Sequence, residues 1–250
     1  MFMHEIINCN EIVRLLEHDW SDRRLLMNNL VQKVSVRALP HRPSRRLHDA
    51  GRTRAEILAA AMQEFGEKGL DGARVDAIAA ATRTSKRMIY YYFKNKVGLY
   101  LAVLEHSYAQ TRDGELALDL DTLQPEAAMR TLVSVTFDHH LHDEHYVRLV
   151  MSENINRGRY LAQSQNIQAL NRPAIELIGK VYQRGRLAGV FRDGLDPADI
   201  HASISALAFF NVSNRHTFGL IFNQDIRSPA YIANRRENIV QMILRYMCKR

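Results

Sequence analysis

Between Ser85 and Lys96 the chain reads SKRMIYYYFKNK, a short run that mixes cations with three consecutive tyrosines. Lys86, Arg87, Lys94 and Lys96 can neutralise phosphates, tyrosine hydroxyls can bond phosphate oxygens, and a guanidinium can engage both acceptors on a guanine edge. On a 3.6-residue repeat Ile89 and Phe93 share one stripe, while Lys86, Arg87, Tyr90, Tyr91 and Lys94 fall toward the other side. A helix with that outer face fits the major groove of duplex DNA. Ser85 is placed to cap it, and the free N–H groups of its first turn favour an anion.

Such a helix needs others to hold it. Thr53 stands three residues before Glu56 and just ahead of Ile57, Leu58, Ala61, Met62 and Phe65, which predicts a capping box opening an amphipathic helix. Gly66 and Gly69 are expected to close it. A second helix, VDAIAAAT, presents Val75, Ile78, Ala79 and Ala81 on its apolar face. Only Arg83 and Thr84 separate it from Ser85, so the second and third helices must cross steeply.

The segments IAAATRTSKRMIYYYF and KNKVGLYLAVL resemble the helix-turn-helix and following helix of the TetR/AcrR family of transcription regulators, a likeness covering roughly fifty residues from Thr53 to Leu104. The chain departs from the usual pattern at Arg83 and Thr84, where the family has Gly and Val, and at Ala73 and Arg74, where it has Thr or Ser. The resemblance implies an all-α protein: a three-helix DNA-binding domain at 53–98, then a helical ligand-binding and dimerisation domain at 99–250, preceded by an extension and basic arm at 1–52. By the same likeness, Lys86, Arg87, Met88 and Tyr90 would meet base edges, and Ser85, Tyr91, Tyr92 and Lys96 the phosphates. Arg74 and Thr84 would border the DNA. The implied function is a one-component repressor that binds a palindromic operator as a homodimer and is released by a small-molecule effector.

Charge follows that division. Residues 41–108 carry 12 Lys and Arg against 7 Asp and Glu, whereas 109–250 carry 17 against 15, so the basic excess gathers around the three-helix stretch. Cys9 and Cys248 lie near opposite ends and suggest neither a disulfide framework nor a thiolate metal site. No apolar run reaches membrane-spanning length, and no secretory leader is recognisable at the start, so a soluble cytoplasmic protein without cofactor is expected.

Two amphipathic patterns precede residue 37, and three readings stay open for them: a docked extension, a mobile arm, or sequence upstream of a start at Met27. Residues 37–52 hold two prolines and Gly51, which predicts an extended segment. Its Arg42, Arg45 and Arg46 suit either a minor-groove arm or a solvated linker.

Beyond Lys96 a fourth helix is expected, and the pattern breaks from Ala109 to Thr122. Helical segments follow at 126–142, 144–156, 166–187, 196–218 and from Pro229 to the end. The last two resemble the pair through which the family dimerises. Phe137, His140, Met151, Asn154, Phe210, Asn211 and His216 combine apolar walls with polar groups, as an effector pocket would. A different class, a metal-dependent enzyme or metal sensor, is raised by the run His139 to His145, in which His142 and His145 share a helical face. No H-E-x-x-H spacing, nucleophile elbow or phosphate-cradling glycine loop accompanies it, so enzymatic activity is not expected.

Overall fold

The structure is a computed structural model that describes residues 45–249, with side chains from 50 to 249. Residues Ala50–Arg250 form one compact unit. The described residues are all-helical: α1 (Arg45–Gly72), α2 (Val75–Ala81), α3 (Lys86–Phe93), α4 (Lys96–Leu116), α5 (Pro125–His142), α6 (Glu144–Ile155), α7 (Ile167–Leu187), α8 (Pro197–Ser213), α9 (Arg215–Phe222) and α10 (Pro229–Met247). One antiparallel bridge, Phe191 to Cys248, is the only β pairing among them.

Local chemistry sets most of these ends. Ser85 Oγ accepts the Met88 N–H at 3.1 Å, and Asn95 Oδ1 accepts the Gly98 N–H at 2.8 Å. Asp143, Asp196 and Ser228 cap α6, α8 and α10 in the same way. Pro125, Pro197 and Pro229 occupy first-turn positions, where a missing N–H costs nothing.

Two apolar cores result. The first joins Ile57, Leu58, Phe65, Val75, Ile78, Ile89 and Phe93 to Leu99, Tyr100 and Val103 of α4, with Leu149 of α6 added from the body. The second packs α5, α7, α8 and α10 around residues such as Met129, Phe137, Val181, Ile204 and Ile243. Helix α4 belongs to both regions. Its first half is head core, and its second half turns Thr111, Arg112 and Glu115 inward.

Four expectations change here. Thr53 is not an N-cap, because α1 begins eight residues earlier at Arg45 and runs through it. The extended reading of 37–52 therefore fails from Arg45 onward: Pro40 and Pro43 both precede the helix, and Gly51 alone does not stop it. Helix α4 continues to Leu116 through the supposed break at Ala109, since its inward positions are polar and hide the periodicity. The segment 196–218 is two helices divided at Asn214, whose φ of −107° and ψ of 4° leave the helical region after the polar Ser213. The patterns before residue 37, and Arg42, lie outside the described residues.

The turn between α2 and α3 holds Arg83 at φ 53°, in the left-handed region that suits glycine. A side chain there costs about 1–2 kcal/mol, partly offset by the larger entropy a glycine loses on folding. Arg83→Gly is expected to stabilise the protein by about 0.5–1 kcal/mol, read as a raised midpoint in urea with an unchanged slope; a lowered midpoint would contradict this account of the turn.

Candidate functional site

Helix α3 is held by its inner stripe. Ile89 is fully buried and Phe93 is 5% exposed, with the Arg54 guanidinium 5.3 Å from the Phe93 ring centroid. The opposite face is open: Tyr91 is 79% and Met88 42% exposed, and Lys86, Arg87 and Lys94 are exposed beside them. Arg87 makes no ion pair or hydrogen bond among the described residues. Lys86 Nζ pairs with Asp76 at 3.1 Å, but both side chains are about half in water, so the pair is weak and phosphate can compete for the lysine.

The tyrosines divide. Tyr91 projects outward and meets the Tyr92 ring edge-on at 5.4 Å, whereas Tyr90 and Tyr92 are half-buried and lean on the head core. Tyr90 is thus less outward than its helical position suggests, because a three-helix core this small draws in every ring it can reach. Around α3, Arg74 is exposed and its N–H donates to Glu64 Oε1 at 2.9 Å; Thr84 is half-buried; Ser85 is exposed while capping. Lys96 Nζ donates to the Asp71 carbonyl at 3.2 Å. The expected DNA-facing residues therefore lie on and beside one helix, with Tyr90 and Tyr92 partly withdrawn.

The expected effector residues do not converge. Phe137 is core at 2% exposure, and His140 is buried with Nδ1 2.7 Å from the Thr136 carbonyl. Asn154 and His216 are exposed, and Phe210 is 42% exposed. Asn211 is held between Leu207 O and Arg235 Nε. Met151 and His216 instead border an open groove of about 340 Å³ between α1, α6, α8 and α9. Shared character at helical spacing did not predict shared location.

The histidine run disperses as well. His139 Nε2 lies 2.9 Å from Thr111, His142 Nδ1 lies 2.6 Å from the Asp138 carbonyl, and His145 packs against Gly66. Among the described residues, no three His, Cys, Asp or Glu side chains gather as metal ligands.

Two features had little sequence signal. Arg148 Nε and Nη2 donate to the carbonyls of Gly66 and Glu67 at 2.6 and 3.0 Å, tying the body to the end of α1. The second is a packed cluster of polar and aromatic side chains: Arg112 and Glu115 of α4, His140 of α5 and Tyr146 of α6 are buried, with His139 of α5 and His201 of α8 half-buried beside them. Burial, reinforced by the positive charge of Arg112, lowers His139, His140 and His201 to about 4, so all three are neutral at pH 7. Burial pushes the Glu115 carboxyl up, against the pull of Arg112.

Known proteins share this layout. Residues 57–103 match the family described as bacterial regulatory proteins, tetR family, and residues 125–243 match the tetracyclin repressor-like C-terminal domain. The chain is 35% identical over 181 residues to the HTH-type transcriptional repressor NicS of Pseudomonas putida, covering 72% of this chain and 85% of NicS. The chain belongs to the TetR family. This TetR-family protein is a DNA-binding transcription regulator. It is also 29% identical to the HTH-type transcriptional repressor SCO4008 of Streptomyces coelicolor over 64% of the chain and 78% of that protein. A solved structure described as a transcriptional regulator, SCO4942 of Streptomyces coelicolor, matches with a TM-score of 0.60 and 26% identity, covering 78% of this chain and 98% of that one. Among the described residues no helix is long and apolar enough to cross a membrane.

Proposed function

We propose that this TetR-family regulator is a cytoplasmic repressor that binds a palindromic operator as a homodimer and releases it when a small molecule enters the helical body. The open cationic face of α3, with Arg87 and Tyr91 outermost, carries the reading. In it, Lys86, Arg87 and Met88 meet base edges, with Tyr90 at their border. Ser85, Tyr91, Tyr92, Lys96, Arg74 and Thr84 set the phosphates. Residues 53–98 act as the head and 99–250 as the sensing and dimerising body, and no catalytic role is assigned. NicS and SCO4008 are both repressors, which supports that sign of regulation.

One α3 spans too few base pairs for selective binding, so two copies on a two-fold axis are needed. Phe210 of α8 and Met242 and Tyr246 of α10 are 42%, 40% and 37% exposed, and this apolar surface on the last two long helices supports pairing with their copies in a second subunit. Because α4 lies in both head and body, an effector that displaces its second half changes the separation of the two α3 helices.

The test separates base reading from charge. Against an operator selected from genomic fragments, Arg87→Ala is expected to lose about 1–3 kcal/mol of discrimination between the site and a mismatched one. Lys96→Ala is expected to weaken both DNAs equally and flatten the salt dependence. If both variants lose only non-specific affinity, the assignment of Arg87 as a base reader is wrong.

A further inference from the structure

The end of α1 is held by a side chain from the body. Gly69, at φ 66° and ψ 177°, interrupts the helical backbone of α1, and the last carbonyls of a helix have no intrahelical N–H to accept. Arg148 of α6 meets two carbonyls just before that break: its Nε donates to Gly66 O at 2.6 Å and its Nη2 to Glu67 O at 3.0 Å. A guanidinium suits this place, because its donors are fixed in one plane and its charge complements the negative end of the helix dipole.

Other contacts act at the same junction. His145 lies so close that a Cβ on Gly66 would stand 2.8 Å from its Nδ1 and 3.2 Å from its Cα, so α1 and α6 already touch there and cannot approach further. Glu144, one turn before Arg148, lies 3.8 Å from its guanidinium and also pairs with Arg215 at the start of α9. Beside these contacts is the open groove of about 340 Å³, bordered by Phe65 and Gly69 of α1 and by Val147, Met151 and Ile155 of α6. Contact therefore limits the approach of α1 to α6, and Arg148 limits their separation. The groove leaves the end of α1 room to tilt once that tie is cut.

We propose that Arg148 is a positioning residue for DNA recognition: its two bonds to the end of α1 fix the angle of the three-helix head on the body, and with it the separation of the two α3 helices in a homodimer. The inference rests on the paired-operator reading above and adds the residue that sets the spacing. Helices α1 and α3 share one core through Leu58, Phe65, Ile89 and Phe93, so a tilt of α1 is a tilt of α3. The duplex sets the precision required. Half-sites one helical turn apart lie about 34 Å from each other, and one added base pair moves a half-site by about 3.4 Å while turning it about 35° around the axis. A head fixed on its body cannot follow both displacements. A head released at Arg148 keeps α4 as a pivot and its apolar contacts to Leu149, Tyr160 and Leu161, which have no preferred direction, and follows them in part.

On the full chain, affinity is measured for three DNAs: an operator selected from genomic fragments, and copies of it with one base pair inserted or removed at the centre. Wild type is expected to bind the altered copies at least about tenfold more weakly. Arg148→Ala is expected to bind the native operator a few-fold more weakly than wild type, yet to lose less than about threefold between it and the altered copies. Arg148→Lys, which keeps the charge but loses the fork, is expected to fall between them. Arg172→Ala, which removes an exposed guanidinium of α7 paired with Glu176, is expected to behave as wild type. An Arg148→Ala variant that keeps the wild-type penalty, including one that loses affinity uniformly on all three DNAs, overturns the inference. If that variant does not fold, the same result with Arg148→Lys overturns it. The reading beneath it fails differently: a wild type indifferent to the added or missing base pair refutes paired recognition helices, whereas a strict wild type with an equally strict Arg148 variant refutes only the role of Arg148.

Discussion

Gly98→Ala is expected to destabilise the DNA-binding head by about 3 kcal/mol, a larger loss than most single methyl insertions produce. A Cβ at Gly98 would lie 2.2 Å from the carbonyl oxygen of Phe93. Both groups are backbone at the corner where α3 ends and α4 begins, so no rotamer change relieves the clash. Alanine's better helix propensity returns only about 1 kcal/mol. Relief requires α3 to swing relative to α4, which moves the reading face itself. The thermal midpoint should fall by roughly 6–12 °C, and operator affinity should fall even at temperatures where the variant is folded. A variant that melts and binds as wild type would show that the α3–α4 corner is not as tight as described.

Gly185→Ala is expected to cost about as much, in the other core and with a different signature. The added Cβ would stand 2.0 Å from the ring of Phe191, which is fully buried. That ring is pinned by its backbone: the N–H groups of Val190 and Phe191 both donate to Gly185 O, and Arg192 N and Lys249 N bridge to the chain end at 2.8 and 2.9 Å. Here the obstacle is a side chain, so a smaller one should relieve it. In a double-mutant cycle with Phe191→Leu, the pair is expected to couple favourably by more than about 0.5 kcal/mol, a threshold set by contacting residues. Additive losses would mean the ring does not contact the new methyl.

The contrast between these glycines shows what was legible in the chain. The three-helix head was readable because its signals are local: Ser85 and Asn95 as caps, Ile89 and Phe93 as a stripe, a short link between α2 and α3. Proline-marked starts at 125, 197 and 229 were equally plain. The second half of α4 was not, because Thr111, Arg112 and Glu115 face inward and a polar core face reads as solvent-facing loop. The start of α1 was missed for the converse reason: a sound capping box at Thr53 is only an option, and the helix passed it by. The seven pocket candidates were not brought to one place, since sequence gives the face a residue occupies on its own helix but not which faces of other helices meet it. Phe137 went to the core, Asn154 to the surface and Met151 to a groove under α1. The burial of the Arg112 charge had no signal in the sequence.

The central claim is that α3 enters the major groove, twice per assembled particle. It is tested most directly by replacing Tyr91 with cysteine, attaching an iron chelate that cleaves nearby DNA, and mapping the cuts on a selected operator. The account predicts two clusters of cleavage related by two-fold symmetry and about one helical turn apart. Uniform cutting along the fragment, or no cutting while the protein remains bound, would contradict it.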